Sequence, residues 1–211
     1  MLRSMETQRA TKMEMRSRAT RRVVVLAAYD LFCSRGFRET TMESIAEAAD
    51  VSVQTVYFQF KTKAKLLQAV HEWTVLGDDR LAPAEQPWFI EAVAEQDARD
   101  ALARIVAGVA ELDARMAPML PIFNALAQGS GGEIYRGSNE LRRKGMSELA
   151  ALLAAKTPFR PGITPGFAAD LLFFLTGPES YAQLVIQTGW SRERWVEWVS
   201  ATLVGQLFPS D

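Results

Sequence analysis

The sequence predicts an all-α fold in two parts, a three-helix helix-turn-helix lobe at the N-terminus and a larger helical lobe behind it. Three observations lead there. Apolar residues recur at steps of three and four, as Val24, Ala28, Leu31 and Phe32 do near the start. No stretch alternates apolar and polar residues as a half-buried strand would, so helices must supply the core. Segments rich in glycine and proline, at 77–88 and 157–166, together with GSGG at 129–132, cut the pattern into helix-sized lengths. The chain has 211 residues, 48% of them hydrophobic, which is enough to bury a core without staples.

Taken in order, residues 1–17 are polar, with Arg3, Arg9, Lys12 and Arg16, and read as a mobile basic arm. A first helix is expected from about Ala19 to Arg35, stopped by Gly36, which is free to take positive φ. Thr40 and Glu43 form a capping-box signature for a second helix that carries Ile45, Ala46 and Ala49 on one face. Asp50 tolerates the left-handed conformation that a tight turn demands. Ser52 then caps a third helix with Val53, Val56, Tyr57 and Phe60 at steps of three and four. Two helices this short cannot stand alone, and they are useful when the first braces the second against a larger surface such as a DNA groove.

A fourth helix is expected from Thr62 to about Leu76, bridging the two lobes, with a loop over 77–88. Leu102, Ile105, Val109, Leu112, Met116, Met119 and Phe123 make one long stripe, which Pro118 and Pro121 should break or kink. GSGG reads as a stop, followed by a helix over about 133–156. Two last helices are expected over about 165–188 and 192–207, separated by Gly189. The domain reading is a basic arm at 1–17, a helix-turn-helix domain at 18–65 and a helical body at 66–211.

Charge supports this division. Residues 1–65 hold 12 Lys and Arg against 7 Asp and Glu, and the rest holds 12 against 18, although the whole chain has a net charge of −1. A basic front on an acidic body is expected where only one end meets phosphate. The single cysteine, Cys33, excludes an internal disulfide and fits a reducing cytoplasm. No apolar run approaches the roughly 20 residues that cross a bilayer. One Cys and one His offer no nucleophile–base pair and no metal cluster, and there is no Walker loop, GxSxG or dinucleotide fingerprint. The reading is therefore not an enzyme, with no metal and no cofactor. A helical protein–protein adaptor using the N-terminal lobe is the alternative.

The front third resembles the tetracycline-repressor (TetR) family of bacterial transcription regulators. The resemblance rests on VVVLAAYDLFCSRGF at 23–37, TT at 40–41, IAEAADVS at 45–52, TVYFQF at 55–60 and KTKAKLL at 61–67. It implies a homodimer paired through its C-terminal helices, a near-palindromic operator, a small-molecule pocket in the body and, by family default, repression. Asp50 stands where the family usually has glycine, and apolar Val53 and Phe58 stand where it is often polar or basic.

Ser52, Val53, Gln54, Thr55 and Phe58 lie at the start and along one side of the recognition helix. Gln54 can pair with adenine through its amide, and Val53 or Phe58 can pack on a thymine methyl. The resemblance places Tyr57 and Lys63 at phosphate, assisted by Lys61 and Thr41, setting register rather than sequence. In the body, Met116, Met119, Phe123, Phe173 and Phe174 are the pocket candidates, since methionine adapts to irregular apolar ligands. His71 on the bridging helix is a further ligand candidate. The expected effector is small and apolar or aromatic, with few charges. The wide apolar arc of the terminal helices implies two buried faces, one of them toward a second subunit.

Overall fold

The computed structural model describes the backbone of residues 2–209 and the side chains from Met15 to Pro209, Ser130 excepted. The side chains of Arg3, Arg9 and Lys12 in the expected arm lie outside the described set. Among the described residues the regular elements are all helical, and no helix is long and apolar enough to cross a membrane. The chain divides into two compact units between Trp73 and Thr74.

The N-terminal unit begins with α1 (Leu2–Glu39). The helix starts well before Ala19, and Gly36 breaks it from within at φ 81°, ψ 166°. This positive φ lies outside the regions open to L side chains, so glycine is the residue that lets the chain turn there. Val24, Ala28 and Phe32 are fully buried, as their spacing requires. Next come α2 (Met42–Ala48), α3 (Val53–Phe60) and α4 (Lys63–Leu76), the last carrying the chain across the unit boundary. Met42, Ile45, Val56, Phe60, Leu66, Leu67 and Val70 complete this core.

The cap of α2 sits one residue later than the sequence suggests. Thr41, not Thr40, is the N-cap, and its partner is Ser44 rather than Glu43: Ser44 N–H donates to Thr41 Oγ1 at 3.0 Å and Thr41 N–H to Ser44 Oγ at 3.1 Å. Thr40 is buried instead, its hydroxyl donating to the carbonyls of Gly36 (2.8 Å) and Leu31 (3.2 Å) at the end of α1. A buried threonine beside helix-end carbonyls satisfies its hydroxyl there rather than at a cap.

The C-terminal unit contains α5 (Pro87–Ala94), α6 (Ala98–Met116), α7 (Leu120–Ala125), α8 (Ser130–Lys156), α9 (Pro165–Leu175), α10 (Pro178–Tyr181) and α11 (Arg192–Leu207). α6 packs against α5, α8 and α11, and α8 lies along α9. Pro118 does end the long stripe: a 3₁₀ turn at Ala117–Met119 separates α6 from α7. GSGG is the start of α8 rather than a stop. A Cβ on Gly132 would lie 2.1 Å from the Ala127 carbonyl oxygen, so the first turn of α8 closes on that backbone only without a side chain. The expected helix over 165–188 is three pieces: α9 ends before Gly177–Pro178, and α10 passes into a π-helical turn at Ala182–Gln187. Proline removes a backbone donor and clashes with the preceding turn, which accounts for the first break.

Candidate functional site

In the N-terminal unit, α2 and α3 are joined by a turn whose Asp50 takes φ 52°, the left-handed conformation expected of it. Ser52 caps α3, accepting from Thr55 N–H at 3.2 Å, and its hydroxyl meets that of Thr55 at 2.8 Å. Ser52 and Thr55 thus fix the start of the helix. Val56 and Phe60 face inward, while Arg21 lies over the Phe60 ring at 4.5 Å. Val53 and Thr55 are half-buried.

The opposite face is a stripe of Gln54, Tyr57, Phe58 and Lys61, at steps of three and four, all exposed. Phe58 is 77% exposed and Tyr57 44%, an unusual outlay of aromatic surface on an eight-residue helix. Lys61 closes the helix at φ 63° and sets its ammonium 5.0 Å from the Phe58 ring centre. Thr41 sits at the exposed start of α2.

Lys63 is placed differently from the phosphate contact expected of it. Its ammonium donates to the carbonyls of Phe37 (2.8 Å), Thr40 (2.8 Å) and Arg38 (3.4 Å) and lies 4.4 Å from the Phe37 ring centre. An ammonium has three N–H groups, and three carbonyls take them. Lys63 therefore ties the end of α1 to the start of α4, and a phosphate would have to displace one of those carbonyls.

His71, in the same unit, is buried, and burial lowers its pKa from 6.5 to about 4. A base held neutral by burial stabilises the fold above its unfolded pKa, and that contribution is lost as pH falls from 6.5 through 4. At about 1.4 kcal/mol per unit, the loss is about 3 kcal/mol. Urea midpoints measured between pH 7.5 and 4 should fall more steeply for the native chain than for His71→Gln. Parallel curves would show that His71 carries no such linkage.

In the C-terminal unit, Met116, Met119 and Phe123 are buried together around the α6–α7 break, and Phe123 stacks on Tyr135 of α8 at 5.3 Å. Phe173 lies under two guanidinium groups, those of Arg142 (3.7 Å) and Arg143 (4.0 Å). Phe174 is 71% exposed and lies on the outside of α9, whose inner face is Ala168, Ala169, Leu172 and Leu175.

The sequence reading missed a polar cluster beside these residues. Arg142 donates through Nη1 to the Phe173 carbonyl (2.8 Å) and through Nη2 to Asn139 Oδ1 (3.3 Å), and Nη2 lies 3.5 Å from Glu179 Oε2. The Tyr135 hydroxyl donates to Glu179 Oε1. The break at Gly177 makes room: a Cβ there would lie 2.6 Å from Arg142 Nη1. Asp113 of α6 is 4% exposed, and burial raises its pKa well above the usual carboxylate value, against the pull of Arg142. Desolvation likewise lowers the pKa of Arg142 and raises that of Tyr135. The signal available in sequence was an Asp at position 113 inside an otherwise apolar helical face.

Comparison with known proteins agrees with the geometry of the N-terminal unit. The family model for bacterial regulatory proteins of the tetR family matches residues 24–70. The HTH-type transcriptional regulator TtgR of Pseudomonas putida is 37% identical over 78 residues, which is 37% of this chain and 36% of that protein. The chain thus aligns with little more than a third of that relative. Among solved structures, NalD, the secondary repressor of the MexAB-OprM multidrug efflux pump in Pseudomonas aeruginosa, superposes with a TM-score of 0.68 at 23% identity, over 93% of this chain and 100% of that one. The fatty acid degradation regulator FadR of Bacillus halodurans gives 0.64 at 19% identity, over 87% and 93%. Both share the fold across both units. The capped α2–turn–α3 pair and the matched residues make the N-terminal unit similar to the tetR family of bacterial regulatory proteins, and the fold of the chain is one that such regulators share.

Proposed function

We propose that this chain is a homodimeric transcriptional repressor that reads a near-palindromic operator with α3 and is released by a small molecule bound in its body. The observation that carries the reading is the outer stripe of α3. Gln54, Tyr57, Phe58 and Lys61 stand clear of the core on a helix whose other face is fully packed. An amide, two aromatic rings and an ammonium in one row suit a major groove: amide to adenine, ring to thymine methyl, hydroxyl and ammonium to phosphate. Ser52, Val53 and Thr55 flank that row on α3, and Thr41 stands exposed at the start of α2. The repression named for NalD gives the expected direction.

Dimerisation through the C-terminal helices has its own support. Phe167 and Phe174 of α9, Ile186 of the π-helical turn and Trp198 of α11 all expose large apolar side chains. Two copies would present two α3 helices to grooves about 34–36 Å apart. A ligand favouring one arrangement of the body then spoils simultaneous engagement, a coupling of about 1–3 kcal/mol.

Selection of bound fragments from random duplex DNA tests the whole reading, and the expected product is an inverted repeat. A chain that stays monomeric and retains no duplex at low salt is not such a regulator. Within a recovered operator, Gln54→Ala should relax the preference at one base pair in each half-site and cost about 1–3 kcal/mol there. Titrations against operators mutated one position at a time read this directly; a uniform loss across all positions would remove Gln54 from base reading.

A further inference from the structure

We propose that the polar cluster around Asp113 is the effector site, and that it takes a small organic amine bearing a hydrogen-bond acceptor. The proposal rests on the ligand-responsive reading above and names the chemistry of the ligand.

Two buried atoms of opposite character carry it. Asp113 Oδ2 and Arg142 Nε have no hydrogen-bond partner among the described residues. A buried carboxyl oxygen and a buried guanidinium N–H that both lack a partner are each costly, and folded chains rarely keep both without a use for them. The rest of the cluster is satisfied. Arg142 is held by the Phe173 carbonyl, Asn139 and Glu179, and Glu179 also accepts from Tyr135.

Charge decides the sign of the ligand. Arg142 and Glu179 balance each other, and burial favours the neutral carboxyl of Asp113, so the cluster by itself carries no net charge. An amine can take the Asp113 proton and stay beside it as an ammonium–carboxylate pair, whereas an anion would meet a carboxyl that burial already keeps from ionising. The surroundings agree. Tyr135 stacks on Phe123, and Tyr181, near enough to feel the charge of Asp113, meets Trp195 edge-on at 5.3 Å. Aromatic faces attract an ammonium. Met116, one turn on from Asp113 along α6, and Met119 beyond it are buried, and methionine adapts in shape to an apolar neighbour. An acceptor on the ligand, a hydroxyl or carbonyl, would meet Arg142 Nε. This ligand carries a charge, where the sequence suggested few.

The test uses the full-length chain and matched compounds: phenethylamine, 2-amino-1-phenylethanol and hexylamine, each beside its alcohol and carboxylate counterpart. Thermal shift and calorimetric titration should rank amine above alcohol above carboxylate, with the amino alcohol strongest. Asp113→Asn, which keeps the shape and removes the charge, should weaken amine binding roughly 10- to 100-fold and leave the alcohols unchanged. The proposal is overturned if no amine exceeds its matched partners, or if Asp113→Asn binds the amines as tightly as the native chain. Should the variant fail to fold, the ranking on the native chain still decides. DNA binding is measured separately. A chain that binds its operator and ignores the amines loses this inference alone, whereas one that binds amines and no DNA loses the regulator reading.

Discussion

Trp195→Ala is expected to destabilise the C-terminal unit by about 3–5 kcal/mol, the range for removing a large aromatic side chain from a packed core. Trp195 is 0% exposed, the largest of the fully buried side chains. It reaches from α11 to the four-residue α10, where its ring meets Tyr181 and its indole N–H donates to Ser180 Oγ at 3.3 Å. A helix of one turn cannot hold itself, so Trp195 pins the segment that carries Glu179 and Tyr181. The Ala variant should therefore lower the melting temperature by roughly 10–20 °C and blur the cluster around Asp113 before the unit unfolds. Trp195→Phe keeps a ring in place but loses the bond to Ser180, and should cost about half as much. Urea unfolding followed by circular dichroism measures both. Equal midpoints for the native and Ala chains would show that α10 is held by something else.

How much of this was legible beforehand depends on how local the determinant is. Gly36, Asp50 and Ser52 act within a few residues of themselves, and the structure places each in the turn or cap that its chemistry suggests. The bounds of α11, Arg192–Leu207, follow from a serine cap and an apolar stripe. Local rules failed where a distant group competed. Thr40 looks like a cap until the carbonyls of Gly36 and Leu31 claim its hydroxyl. GSGG looks like a stop until the approach of Ala127 to Gly132 gives the glycines another use. The cluster in the body was out of reach for the same reason. Asp113, Arg142, Phe173 and Glu179 come from four helices, and Arg142 finds the Phe173 carbonyl 31 residues along the chain. Nothing in spacing or composition announces such a meeting; it appears once α9 breaks at Gly177 and lets the guanidinium in. The exposed row on α3 was readable as a pattern, but the spent ammonium of Lys63 was not, because its three acceptors lie at the far end of another helix.

Lys63→Met is expected to lower the stability of the N-terminal unit by about 2–3 kcal/mol. The methionine keeps the length and apolar stem of the side chain but brings no donor, so the carbonyls of Phe37, Arg38 and Thr40 lose their shared cation. Bonds from a charged donor contribute about 1.5–3 kcal/mol each in favourable cases, and acceptors left unpaired carry a desolvation cost besides. Partial exposure of this junction keeps the sum below three such bonds. A urea titration of the variant reads the loss, and an unchanged midpoint would mean that water replaces the ammonium freely. The same variant separates scaffold from contact. Were Lys63 to reach phosphate in the complex, operator affinity would lose about one unit of salt slope, equally for all sequences. Were its duty confined to the α1–α4 junction, the slope would stand and the affinity loss would follow the stability loss, recovering at low temperature or with a compensating stabiliser. Lys61→Met supplies the control, since that ammonium lies beside the exposed Phe58 ring rather than in a nest of carbonyls such as holds Lys63. Its substitution should change the salt slope and leave the urea midpoint where it was. A lysine that moves both readouts together holds the fold and the duplex with one charge, and only the paired measurement tells that case from the other two.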